Sequence, residues 1–116
     1  MILERYADGS EGAKVRMLVR GDSLTVRAND NMAWKYGEEK ECTCEEEENE
    51  RHVLFECQQY EEWRQEGKRR WREEMGEMDI MGGVLGYIEL SRELETLVLR
   101  MVGRIWRERE RREARR

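Results

Sequence analysis

Cys42-Thr43-Cys44-Glu45-Glu46-Glu47-Glu48-Asn49-Glu50-Arg51-His52-Val53-Leu54-Phe55-Glu56-Cys57 holds every cysteine of the chain and its only histidine. Cys-x-Cys sets two thiols on one tight turn. Seven polar residues later, His-x4-Cys supplies a second pair at a spacing that about one helical turn can close. Two close pairs joined by a longer loop is the ligand arrangement zinc takes in closed, tetrahedral structural sites. The window therefore predicts a mainly α, small helical domain organised around one structural zinc site at Cys42, Cys44, His52 and Cys57. The competing reading is three idle thiols and a hydrogen-bonded histidine. A catalytic zinc needs an open coordination position, and no His-Glu-x-x-His motif is present.

The composition calls for a metal, a partner or a long solvated helix to supplement the core. The 116 residues suit one domain, but 42% are charged, 38% are hydrophobic and the mean hydropathy is −1.02. A chain this polar is marginal on burial alone. Three cysteines, with nothing suggesting secretion, favour metal binding or free thiols over disulfides. No apolar run approaches a membrane span and the N-terminus does not read as a signal peptide. The expectation is a soluble intracellular protein, in cytoplasm or nucleus, with no membrane partner.

Three parts follow outward from the window: residues 1–41 with N-terminal helices and a loop, the window 42–57, and a helical part 58–116 with a charged tail. Ser10 is placed to cap a helix with Val15, Leu18 and Val19 on its apolar side, stopped by Gly21-Asp22-Ser23. A short helix from Leu24 to about Trp34 fits Leu24, Ala28 and Met32, although Thr25 and Val26 also suit a strand. Glu45 to Glu50 is too charged to pack and reads as a solvated loop. Tyr60, Trp63, Gly67, Trp71, Met75 and Met78 form a helical stripe, broken at Gly76 and then Gly82-Gly83. Ser91 caps a long last helix whose apolar face is Leu94, Leu97, Val98, Met101, Val102 and Ile105, with Trp106 at its edge. That face suits packing on the Trp63–Trp71 helix, or offers a seam to a partner helix or a second copy of the chain. For Trp34 and Trp106 the sequence suggests only packing.

Charge is unevenly placed. Residues 1–63 carry 8 Lys/Arg against 16 Asp/Glu, a balance of −8, and residues 64–116 carry 14 against 11, a balance of +3. Any RNA or DNA is therefore expected on the C-terminal half. Lys68, Arg69 and Arg70 beside Trp71 form one candidate phosphate-binding cluster, with core packing the favoured role for Trp71 itself. Arg100, Arg104, Arg107 and Arg111 form another, a single ridge at i, i+4, i+7 and i+11. For both clusters the alternative is a solvated helix face with Arg–Glu pairs.

Retroviral zinc knuckles place their histidine sooner after the second cysteine. The window instead resembles the zinc-binding motif at the C-terminal end of non-LTR retrotransposon reverse transcriptases, Cys-x(1–3)-Cys-x(7–8)-His-x4-Cys. Glu48-Asn49 stands where that family has Glu-Thr, and Val53-Leu54-Phe55 matches its apolar triplet. Tyr60 and Arg64 fall on its usual aromatic and basic positions. Arg20-Gly21 with Leu24 resembles the segment before the cysteines, and Leu94 to Arg112 the closing helix, so the likeness spans residues 13–112. Two positions depart from the pattern. Glu45 replaces a glycine, with consequences for the turn around the metal, and Gln58 replaces a proline, which lets a helix run on from Cys57.

The resemblance implies a zinc-stabilised nucleic-acid-binding accessory module that helps position RNA or target DNA for reverse transcription. It implies no enzyme: the Tyr/Phe-Ala-Asp-Asp motif is missing, no Asp-Asp pair exists, and 116 residues cannot hold palm, fingers and thumb. The alternative is a structural or protein-interaction domain, a truncated or domesticated remnant that can be oligomeric, in which zinc only holds the fold.

Overall fold

The computed structural model describes residues 10–21, 23–29 and 32–115. Its organising element is the long C-terminal helix, Arg92–Ala114. The Ser91 hydroxyl accepts the Leu94 amide proton at 3.2 Å, and Glu93 and Glu95 lie in the first turn, where the helix dipole favours negative charge. Leu94, Val98, Leu99, Met101, Val102, Ile105 and Trp106 are buried along it, and Leu97 half-buried. In chain order the helices are α1 (Ser10–Arg20), the short α2 (Ala33–Tyr36), α3 (Glu61–Met75), α4 (Ile80–Leu85) and α5 (Arg92–Ala114). Among the described residues the only β pairing is the isolated bridge Glu41–Glu47.

The neighbour most extensively packed on α5 is α1, with α3 second. The sequence favoured α3 because its aromatic stripe is conspicuous. The α1 contact depends on two residues with no side chain. A Cβ on Gly12 would fall 1.8 Å from the Leu99 carbonyl oxygen, and one on Gly103 would fall 2.7 Å from the Gly12 amide nitrogen. Backbone therefore meets backbone at this crossing. Its register fixes which side of α1 faces inward. Gly12 and Val15 are buried and Val19 half-buried, whereas Leu18 is 39% exposed and does not share the buried face. The expected Ser10 cap falls at the edge of the described residues, and Asp22 of the stop signal lies outside them.

Four other expectations are corrected. Leu24 to Trp34 is not one helix. Leu24 and Val26 are buried in non-helical chain, and the backbone turns so that the Ala28 amide meets the Glu48 carbonyl at 2.9 Å. Trp34 packs on nothing extensive, being 80% exposed, while Trp106 is buried as expected. Gly82 and Gly83 do not break a helix but lie inside α4. The ring of Trp71 occupies the place of a Gly83 Cβ, and its indole N–H donates to the Met78 carbonyl at 2.6 Å. Met78 lies past the end of α3 and is exposed.

Two arginines of α1 fasten α4. Arg16 donates to the Val84 carbonyl at 2.6 Å and the Gly83 carbonyl at 3.2 Å while pairing with Glu95 at 2.9 Å, and Arg20 donates to the Leu85 carbonyl. The Val84 and Leu85 carbonyls end a six-residue helix, where the last carbonyls lack intrahelical partners, while the Gly83 carbonyl also accepts the Gly86 amide proton at 3.1 Å.

Candidate metal centre

The two halves of the ligand window fold by different local rules. On the cysteine side, the Cys42 amide donates to the Glu46 carbonyl at 2.8 Å and the Glu45 amide to the Cys42 carbonyl at 2.9 Å. That turn aims both thiols the same way. It closes only because Glu45 takes φ +74°, the one positive φ among the described non-glycine residues. The turn expected of a glycine is thus kept despite the glutamate.

On the histidine side, His52–Glu56 forms a single π-helical turn, entered through the Asn49 side chain, which accepts the His52 amide proton at 2.8 Å. The wider π spacing suits a ligand pair five residues apart, and the turn closes with the Cys57 amide on the His52 carbonyl at 2.6 Å. Cys57 then turns extended (ψ 124°) before a 3₁₀ turn, Gln58–Tyr60, leads into α3. The helix therefore does not run on from Cys57 even though proline is absent. The Val53 and Leu54 carbonyls are taken by Arg64, fully buried, at 3.0 and 2.9 Å.

The outcome is a converged donor set. One ligand atom from each of Cys42, Cys44, His52 and Cys57 lies within 4.8 Å of all the others. Cys42 Sγ is 3.7 Å from Cys57 Sγ, Cys57 Sγ 3.9 Å from Cys44 Sγ, and Cys44 Sγ 3.1 Å from His52 Nε2. A tetrahedral ion with thiolate bonds of about 2.3 Å requires sulfurs about 3.8 Å apart. The Cys42–Cys57 and Cys57–Cys44 separations match that requirement and are far too long for disulfides. The cluster could hold one metal ion.

Its electrostatics point the same way. The Cys42 thiol is held far below its ordinary value, at about 4, chiefly by the hydrogen bond from Cys57 and against the effect of burial. Cys57 is pushed up by that same bond and by burial. One thiolate is thus favoured by the pocket itself, whereas a second in the same buried space needs a cation. The Gln59 amide donates to Cys42 Sγ at 3.3 Å and to the Thr43 hydroxyl, while its oxygen accepts from Arg112 at 3.0 Å. Gln59 so ties the ligand turn to the end of α5.

Sequence reasoning missed the residue that ties this loop down most firmly. Glu48, read as part of a solvated run, is 2% exposed. It accepts from the Arg27 amide at 2.9 Å and pairs with Arg109 of α5, itself 1% exposed. Tyr36 accepts a further Arg109 proton at 3.2 Å. Burial opposes the charge on Arg109, but the Glu48 carboxylate outweighs it and raises the guanidinium above its ordinary value. A usable signal was the phase of Arg109, which falls seven residues after Val102 and so continues the buried face of α5.

The two basic clusters differ in setting. Lys68, Arg69 and Arg70 each lie within 4 Å of a carboxylate of α3: Glu61, then Glu66 and Glu73, then Glu73 and Glu74. Trp71 between them is buried in the core. Arg100, Arg104, Arg107 and Arg111 are all exposed along one side of α5. They line a groove of about 510 Å³ together with Gly12, Gly103 and Trp63. Arg111 pairs with Glu108, and the Arg104 guanidinium lies 5.9 Å from the Trp63 ring centre.

Compared with models of protein families, with curated proteins and with solved structures, the chain shows no match. No described helix is long and apolar enough to cross a membrane.

Proposed function

We infer that the chain is a zinc-stabilised nucleic-acid-binding accessory module without catalytic activity, similar in role to the tail of a retrotransposon reverse transcriptase. Zinc is the ion best suited to three thiolates and an imidazole in tetrahedral disposition. Four protein donors leave no position for a reactive water, so its role is to hold the fold. The observation that carries the nucleic-acid reading is the exposed row Arg100, Arg104, Arg107 and Arg111 on α5, a helix braced at its far end by the metal loop through Gln59 and Glu48. The test is binding of zinc-loaded protein to single-stranded RNA and to duplex DNA over a series of salt concentrations. Log affinity is expected to fall linearly with log salt, by about 0.7–0.9 per phosphate contact. Changing the four arginines together to Gln should reduce both the affinity and the slope. Binding with an unaltered slope after that change removes the ridge from the mechanism.

A second reading, a structural or protein-interaction domain, is favoured by different observations. The α3 basic cluster is matched by carboxylates, and Trp34, Tyr87 and Met17 expose 80%, 73% and 71% of their surface. Absence of nucleic-acid binding at low salt, together with self-association or capture of a protein partner, selects that reading.

A further inference from the structure

We propose that the groove between α1, α3 and α5 is a single-strand site in which an unstacked base lies against Trp63 while the α5 arginines hold the adjoining phosphates. This rests on the nucleic-acid reading above and assigns it an aromatic subsite and a strand preference.

The ridge alone would not select a single strand, because lysines and arginines neutralise phosphates of duplexes and single strands alike. Trp63 does. It is half-buried, its ring tilted at 43° against Tyr60 of the preceding 3₁₀ turn with centroids 6.4 Å apart, and the Arg112 guanidinium lies 5.8 Å from its ring centre. It lines the same groove as Arg100, Arg104, Arg107 and Arg111. An aromatic ring beside a positive track is the combination that binds single strands regardless of sequence, since every base offers a π-face. In a duplex those faces are already stacked.

The dimensions agree. From Arg100 to Arg111 the helix rises about 16 Å, a positive track along which a strand backbone can run. The groove volume of about 510 Å³ accommodates one inserted base with its sugar. Arg104 lies 5.9 Å from the ring centre and is exposed, so a modest rotation of its side chain would let a base sit between guanidinium and indole. The carboxylates there are Glu11, which faces Lys14 at 3.9 Å, and Glu108, which pairs with Arg111 and Arg112. A phosphate takes over Arg111 from Glu108 without leaving that carboxylate alone, because Arg112 remains at 3.1 Å.

The test compares a 12-nucleotide single strand with an abasic strand of the same length and charge, each titrated into zinc-loaded full-length protein. The base-bearing strand should bind about tenfold tighter, the scale of one stacked base. Trp63→Leu should lower its affinity by the same factor while leaving abasic-strand affinity and the salt slope unchanged, and Trp63→Phe should restore most of the loss. Equal affinity of the wild-type protein for the two strands overturns the single-strand site but leaves the phosphate-binding reading standing, and needs no variant that folds. Absence of binding to either strand at low salt overturns both. Tighter binding to a duplex of matched charge also overturns the proposal.

Discussion

Glu48 and Arg109 meet at 2.5 Å with both side chains almost fully withdrawn from water, joining the ligand loop to the last turns of α5. Removing Glu48 leaves the buried Arg109 guanidinium with only the half-exposed Glu110, at 3.0 Å, as counter-charge, a loss that costs up to about 3–5 kcal/mol. Glu48→Ala should therefore lower stability by that amount in urea denaturation of metal-loaded protein. The double change Glu48→Leu with Arg109→Met should recover most of it, because no charge is then stranded. A double variant as unstable as the single one would show that the carboxylate's bond to the Arg27 amide matters more than the pair.

Metal removal should unfold much more than the loop. Cys42 and Cys57 belong to the same core as Val53, Leu54, Phe55, Ile105 and Trp106. Ion binding is folding free energy in small metal domains, with apparent values of roughly 10 kcal/mol or more. Elemental analysis of reduced protein should find one zinc per chain, and chelation should lower helicity measured by circular dichroism. His52→Ala and Cys57→Ala should each lower the melting temperature more than Trp106→Ala, for which a loss of about 3–5 kcal/mol is expected. Trp34→Ala should change little, since that ring is exposed.

What was legible in the sequence was whatever is periodic or rare. One histidine and three cysteines within 16 residues define the donor set, and the spacing from Leu94 to Trp106 marks the buried face of the last helix. Contacts set by tertiary packing were not legible. Composition does not separate Glu48 from its neighbouring glutamates; only the family resemblance marked it, and its partner lies 61 residues away. Nothing in α1 indicates that Leu18 is excluded from the buried face until Gly12 is seen against α5. The break at Cys57 was missed because the absence of proline was read as permission to continue a helix. The ligand's position, and Arg64 on the carbonyls before it, keep the backbone extended there.

The Gly12–Gly103 crossing sets two backbone effects against each other. Alanine at either position would raise intrinsic helix propensity by about 1 kcal/mol. Against that gain, a Cβ at Gly12 would sit 1.8 Å from a carbonyl oxygen, so the helices must separate. Overpacking of this kind costs about 1–3 kcal/mol, and backbone has less room to yield than a side chain. Both Gly12→Ala and Gly103→Ala should be net destabilising in denaturant titration, with zinc content unchanged. A stabilised Gly12→Ala would mean that α1 and α5 pack farther apart in solution.

Glu45→Gly should have the opposite sign. Glu45 is exposed and takes φ +74° in the turn that presents Cys42 and Cys44. For a residue with a Cβ the left-handed conformation costs about 1–2 kcal/mol, a penalty glycine does not carry. Glycine is also more disordered in the unfolded chain, which offsets part of the gain. The net expectation for metal-loaded protein is stabilisation by about 0.5–1 kcal/mol, read from the urea midpoint. The same change should tighten zinc binding by a few-fold in competition with a chelator, since the apo turn then reaches ligand geometry without strain. Glu45→Ala separates the two possible causes: it removes the charge from an acidic loop but keeps the Cβ. If Ala stabilises as much as Gly, relief of repulsion among Glu45, Glu46 and Glu47 is responsible, and the strain at φ +74° is negligible.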